Sequence, residues 1–217
     1  MARTLLLDLD GTLVDTVPDL TAALNRLMRS RDLPDFTERQ VTAMVGDGIA
    51  VLTDRAFAAH GRQPDAGAAA WLAADYTDHV SVHSRLYPDV MTALADLSRE
   101  GWQLAVCTNK PERAARTLLR RMELLPMLCA VGGGDSFPVR KPDPAHLLAT
   151  LELAQGHADK AVMIGDHHND VVAAAGAGIP CIFAAWGYGT ASMAAGSSAM
   201  AAGMAQAARI ANRLLPA

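Results

Sequence analysis

The chain has 217 residues, 51% hydrophobic and 19% charged, with a net charge of −4. That composition excludes an unfolded chain, and the lack of a basic excess excludes the electrostatic footprint of a nucleic-acid or anionic-membrane binder. From Val171 to Ala208 there is no Asp, Glu, Lys or Arg, but glycines and Pro180 interrupt the stretch, and it offers no run of about 20 strongly apolar residues that would cross a membrane.

The chain starts Met1-Ala2-Arg3-Thr4 and enters Leu5-Leu6-Leu7-Asp8 directly. That apolar run is too short for a signal peptide. Cys107, Cys129 and Cys181 are odd in number and far apart. They read as reduced core thiols of a cytoplasmic protein. Thr4 to Leu9 reads as a buried parallel strand ending at acids and Gly11. A helix-rich stretch follows. Pro18 suits a helix start, and Leu20, Ala23, Leu24, Leu27 and Met28 recur at helical spacing. Thr37 with Gln40 predicts a capping box. Gly46-Asp47-Gly48 breaks the pattern, and helices are expected over Ile49–Ala59 and Ala66–Val82. No strand-like alternation occurs between Thr16 and Arg85.

After Tyr87-Pro88 the rhythm changes. Helices are expected over Asp89–Arg99, Pro111–Met122, Asp143–Leu153, Asp170–Ala177 and Met200–Leu215. Strands are expected over Gln103–Cys107, Leu128–Val131, Ala161–Ile164 and Cys181–Ala185. Alternating strands and helices predict an α/β fold with a doubly wound parallel sheet, a Rossmann-like core. The all-helical block is an insertion. The expected domains are a core of residues 1–15 and 86–217 and a helical cap of residues 16–85, hinged near Val14–Thr16 and Arg85–Pro88. The Ala- and Gly-rich part from Ala191 to Ala202 is expected to be mobile or an oligomer contact in a monomer or homodimer.

Ligands of a parallel sheet bind outside the carboxyl ends of its strands. Polar blocks stand at several such ends: Asp8-Leu9-Asp10-Gly11-Thr12, Thr108-Asn109-Lys110, Arg140-Lys141-Pro142-Asp143-Pro144 and Gly165-Asp166-His167-His168-Asn169-Asp170. Clustered carboxylates raise one another's pKa, and a divalent cation such as Mg²⁺ relieves that cost. A carboxylate can also be a nucleophile toward phosphorus. Backbone N–H groups near Gly11, the Thr108 hydroxyl and a lysine charge suit a phosphate. Asp8 and Asp10, two residues apart on an extended chain, point to one side.

In order and placement these blocks resemble the four motifs of the haloacid dehalogenase-like hydrolases, and the helical insertion resembles that family's alpha-helical cap. The resemblance spans the whole chain. It implies that Asp8 takes the phosphoryl group and that Asp10 is general acid, then general base. It implies a Mg²⁺ held by Asp8, the backbone carbonyl of Asp10, and Asp166. Asp170 would support the metal or orient Lys141. Gly11, Thr108, Asn109 and Lys141 would hold the phosphate. Lys110 reads as a surface charge. His167 and His168 read as loop residues in a place where the family more often has smaller residues or Arg. Gly132–Gly134 reads as a plain loop, Asp143-Pro144 as a helix start, and Met193, Met200 and Met204 as core fillers.

Asp10 and the Gly165–Asp170 block argue against dehalogenation. The absence of lysine from residues 16–85 argues against phosphonate cleavage through a cap Schiff base and against a phosphomutase. Asp15-Thr16-Val17-Pro18-Asp19-Leu20, Met44–Ile49 with Leu52 and Arg55-Ala56, and Trp186-Gly187-Tyr188-Gly189 resemble phosphoglycolate phosphatases. A small phosphate monoester is therefore the expected partner, 2-phosphoglycolate first. Other small sugar or nucleoside phosphates, then a phosphomutase of the same superfamily, and a catalytically silent binding module are the alternatives. Asp47 and Arg55 are the expected cap contacts, with Arg55 facing the substrate carboxylate.

Overall fold

A computed structural model describes residues 2–216; Met1 and Ala217, the ends of the expected core, lie outside the described residues. At its centre is β1 (Arg3–Leu7), whose Leu5, Leu6 and Leu7 are fully buried. A strand covered on both faces needs apolar residues at every position, hence the unbroken run. β1 pairs in parallel with β4 (Trp102–Cys107) and β6 (Ala161–Gly165). Outside them lie β5 (Ala130–Gly132), β7 (Cys181–Ala184) and β8 (Ala199–Ala201). The sheet order is β5-β4-β1-β6-β7-β8, every neighbour parallel. The order reverses at β1 and β6, which opens a crevice at their carboxyl ends.

Successive side chains of β1 go to opposite faces. Leu5 and Leu7 pack with Leu94 of α5 (Val90–Arg99), Leu118 of α6 (Glu112–Arg121) and Ile210 of α9 (Met204–Leu214). Leu6 packs with Leu147 and Leu151 of α7 (Pro144–Leu153) and Ala173 of α8 (His168–Gly176). Two helical layers therefore enclose the sheet. The first strand stops at Leu7, two residues short of the expected end. Asp8 stays beside β6, its N–H donating to Ile164 O at 2.9 Å, and Leu9–Gly11 turn away.

Between β2 (Val14–Asp15) and β3 (Arg85–Leu86) the elements are helical: α1 (Val17–Arg29), α2 (Glu38–Thr42), α3 (Ile49–Ala59) and α4 (Ala68–Asp78). Pro18 lies in the first turn of α1, where its missing N–H costs nothing. Leu20, Ala23, Leu24, Leu27 and Met28 form its buried stripe. The Thr37–Gln40 capping box is present on α2. The expected hinges are not free loops: Val14 and Asp15 pair antiparallel with Leu86 and Arg85. Beside this ribbon the buried Asp19 accepts from His83 N–H, Ser84 N–H and the Ser84 hydroxyl at 2.8, 2.9 and 2.6 Å.

The Ala- and Gly-rich part has regular structure. It forms a 3-10 turn (Ala191–Ala194) and edge strand β8. Ser198 N–H donates to Cys181 O at 2.8 Å and starts that pairing. Met204 is buried, but Met200 is 48% exposed on the edge strand and fills no core. Cys107 and Cys181 are buried, whereas Cys129 is exposed, outside the core assigned to it. No described helix is long and apolar enough to cross a membrane.

Candidate active site

The crevice gathers acids from separate elements. Asp8 follows β1, Asp166 follows β6, and Asp170 stands in the first turn of α8. Each is buried, and one oxygen of each lies within 4.8 Å of the others. The Asp166 oxygens accept from the Thr12 hydroxyl at 2.9 Å and Tyr188 N–H at 2.8 Å. Gly11 has φ +83°, and a Cβ there would lie 2.3 Å from Asp166 Oδ2. Only glycine lets the Asp10–Thr12 turn sit against that carboxylate. A Cβ on Gly189 would lie 1.8 Å from Asp166 O.

Lys141 Nζ spends its three protons on Asp8 Oδ1 (2.8 Å), Asp170 Oδ1 (2.7 Å) and Cys107 O (2.7 Å). Asp170 Oδ2 accepts from His167 N–H at 3.0 Å. Burial pushes the Asp8 carboxyl up to about 6, with Lys141 opposing and Asp170 adding. Burial, then the charges of Asp8 and Asp170, hold Asp166 well above the usual carboxylate range. Burial works against the Lys141 charge, but Asp170 and Asp8 prevail and keep it above the usual lysine range. Three buried carboxylates thus face one ammonium. A hard divalent cation fits this oxygen set and supplies the balancing charge. The Asp10 carboxylate is not in this trio.

Asp10 belongs to a second cluster. Its Oδ1 accepts from the Thr16 hydroxyl at 2.8 Å, and both oxygens accept from Lys110 Nζ at 2.8 and 2.9 Å. The expectation that Lys110 is a surface charge is therefore wrong: its side chain is 2% exposed. The tight turn after β4 directs Lys110 inward, because Gly134 N–H holds Lys110 O at 2.8 Å and its own N–H reaches Thr108 Oγ1 at 3.3 Å.

The cleft between sheet edge and insertion is lined on one side by Asp8, Asp10, Thr108, Asn109, Lys110, Lys141, Asp166 and Asp170. The other side is mostly apolar: Leu20, Val45, Gly46, Gly48, Ile49, Leu52 and Tyr76. Asn109 Nδ2 bridges the sides, donating to Gly46 O at 3.1 Å and Lys141 O at 2.9 Å. Gly11 shapes the crevice from behind and does not line the cavity.

Asp47 and Arg55 do not line it either. The Arg55 guanidinium is committed to Asp47 Oδ2 at 2.5 Å and Met44 O at 2.8 Å. Burial disfavours the Asp47 charge, but Asn169 and Arg55 outweigh it and lower its pKa. These two residues brace the turn before α3; they do not reach the cavity. His167 is the N-cap of α8, its Nδ1 accepting from Asn169 N–H at 3.3 Å, and His168 is the first residue of that helix. Nothing in the sequence pattern singles out His146. Its Nδ1 accepts from Lys141 N–H at 3.1 Å and its Nε2 donates to Gly133 O at 3.1 Å. Burial, then the Lys141 charge, lowers it to about 4. The neutral ring holds the backbone that delivers Lys141. Asp143 caps α7, as expected. In the sequence Tyr188 stands out only as part of the Trp186–Gly189 motif. Its hydroxyl accepts from Thr16 N–H at 2.6 Å and Val17 N–H at 3.1 Å and donates to Asp15 at 2.8 Å, tying the last loop to the start of the insertion.

A family model described as haloacid dehalogenase-like hydrolase matches residues 2–178. A phosphoglycolate phosphatase of Rhodospirillum rubrum is 41% identical over 196 residues, covering 87% of this chain and 81% of its own. One from Mesorhizobium japonicum is 40% identical over 185 residues, covering 83% and 82%. The crystal structure of a predicted phosphoglycolate phosphatase from Haemophilus somnus superposes with a TM-score of 0.88 at 27% identity, over 96% of this chain and 97% of that one. The chain belongs to the haloacid dehalogenase-like hydrolases, and is a phosphoric monoester hydrolase resembling their phosphoglycolate phosphatases.

Proposed function

We propose that the protein is a Mg²⁺-dependent phosphatase that hydrolyses 2-phosphoglycolate to glycolate and phosphate through a phosphoryl group carried on Asp8. The observation that supports it best is the pairing of two clusters in one cleft: Asp8 with Lys141, Asp166 and Asp170, and Asp10 beside it. Asp8, Asp166 and the Asp10 carbonyl would hold the cation, which supplies charge neutralisation when bound. Asp170 accepts from Lys141 and orients it. Thr108, Asn109 and Lys141 line the place for the phosphoryl oxygens, with Gly11 shaping the turn behind them.

One oxygen of Asp8 attacks phosphorus while the ester bond breaks. Asp10 gives its proton to the departing alkoxide, so an alcohol leaves. A water then gives a proton to Asp10 and attacks the same phosphorus, breaking its bond to Asp8. Residues 16–85 act as a cap over residues 1–15 and 86–217, closing to exclude bulk water. Three free cysteines suit a cytoplasmic enzyme.

The substrate rests on the relatives named phosphoglycolate phosphatase. One observation favours another small sugar or nucleoside phosphate instead. Among the described residues, no arginine lines the cleft, and Arg55 is held by Asp47. The test is kcat/KM for 2-phosphoglycolate against a panel of sugar phosphates and nucleotides, with Mg²⁺ and with a chelator. The expected result is Mg²⁺-dependent turnover that is fastest on 2-phosphoglycolate. A tenfold preference for another ester would replace the substrate.

A further inference from the structure

Two lysines reach the cleft, and they divide the acids between them. Lys141 serves Asp8 and Asp170. Lys110 serves Asp10. Its Nζ lies 2.8 and 2.9 Å from the two Asp10 oxygens and 2.7 Å from the Tyr76 hydroxyl of α4. These partners match its three protons, as Asp8, Asp170 and Cys107 O match those of Lys141. Tyr76 is fully buried and belongs to the insertion, while Lys110 and Asp10 belong to the sheet edge.

We propose that Lys110 is a positioning residue that fixes the Asp10 carboxyl against the leaving-group oxygen, and that Tyr76 makes this placement depend on α4 being seated. The proposal rests on the phosphatase reading. Among the described residues Asp10 has one other side-chain partner, the Thr16 hydroxyl on Oδ1. That bond restrains one oxygen, and the carboxyl still turns about it. Lys110 grips both oxygens from the opposite element and removes that freedom. A proton donor held in place contributes about 10²–10⁴-fold to rate, and a small misplacement forfeits much of it. The contact to Tyr76 means that the grip is complete only with α4 in position. The acid then becomes competent when the cleft is covered, the state in which water is excluded.

The consequence is specific to the leaving group. In the first step the P–O ester bond breaks and the electron pair stays on the departing oxygen. An alkoxide needs the Asp10 proton to leave; p-nitrophenolate does not. The experiment measures kcat/KM of the wild type and Lys110→Met on p-nitrophenyl phosphate and on whichever alkyl monoester the wild type turns over fastest. The expected loss is about 30-fold or more on the alkyl ester and less than about fivefold on the aryl ester. Tyr76→Phe keeps the ring and removes the hydroxyl; the same asymmetry is expected at about threefold. Equal losses on the two esters, or none, would overturn the proposal, since a structural or phosphate-binding role lowers both alike. Where Lys110→Met shows no cooperative melt, the two esters with Tyr76→Phe decide by the same criterion. A wild type inert on both esters, or an active Asp8→Asn, overturns the phosphatase reading and this proposal with it. An active wild type with equal losses overturns the role of Lys110 alone.

Discussion

Asn169 Nδ2 donates to Asp47 Oδ1 at 2.7 Å, so the first turn of α8, which carries Asp170, is bonded to the turn that precedes α3. The Asp47 side chain in turn holds Arg55. A residue that completes such a brace acts through backbone placement. Arg55→Ala is therefore expected to change KM for the phosphate ester less than threefold and to cost about 1 kcal/mol or less, because the pair is partly exposed. Steady-state kinetics and urea denaturation check this. A tenfold rise in KM would return Arg55 to a direct substrate contact.

Asp19 anchors the start of the insertion by accepting three hydrogen bonds from His83 and Ser84. Its removal orphans two backbone donors and one hydroxyl beside the β2–β3 ribbon. Asp19→Ala should destabilise the protein by about 2–3 kcal/mol, read as a lower urea midpoint at constant slope. Hydrogen exchange should rise first at residues 83–86. Loss confined to other parts of the chain would contradict the anchoring role.

His146 sets a pH dependence of stability. Its folded pKa is about 4 against an ordinary 6.5. Between those values the unfolded chain binds a proton that the native ring refuses. Stability is complete above pH 6.5 and is lost as pH falls toward 4, by at most about 3 kcal/mol. Thermal or urea melts across pH 4–7 should show a shallower acid slope in His146→Gln than in the wild type. Identical slopes would refute the neutral, buried ring.

Gly189 admits nothing larger, since a Cβ there would lie 1.8 Å from Asp166 O. Gly189→Ala must push the loop that bonds Asp166 and Tyr188 off the crevice. Turnover is expected to fall at least tenfold while the far end of the sheet keeps its exchange protection. Unchanged turnover would mean that the loop does not set Asp166.

Much of this architecture is legible in the residues. The run Leu5-Leu6-Leu7 marks a strand buried on both faces, and the Asp8, Thr108 and Asp166 blocks fall at strand ends as parallel topology requires, while Lys141 lies farther along the loop between β5 and α7. The bounds of α3 and the caps at Thr37 and Asp143 follow from local chemistry. The misses have physical causes. β8 is three residues of Ala and Met without β-branching, and it exists through pairing with β7. The β2–β3 ribbon joins residues some seventy positions apart, beyond any local pattern. Lys110 sits between Asn109 and Pro111 at a strand end, where a lysine normally faces water; only the acid and the phenol brought to it in the fold make burial favourable. Arg55 stands on a helix, and nothing in its spacing distinguishes a substrate contact from a brace on Asp47.

Acid-quench mass spectrometry during turnover tests the nucleophile directly. With Mg²⁺ and p-nitrophenyl phosphate, whose leaving group needs no proton from Asp10, one phosphoryl group is expected on the peptide bearing Asp8, accumulating further in Asp10→Asn, where its hydrolysis lacks a base. Turnover with no phosphoryl group on Asp8, or undiminished turnover in Asp8→Asn, would contradict catalysis through Asp8.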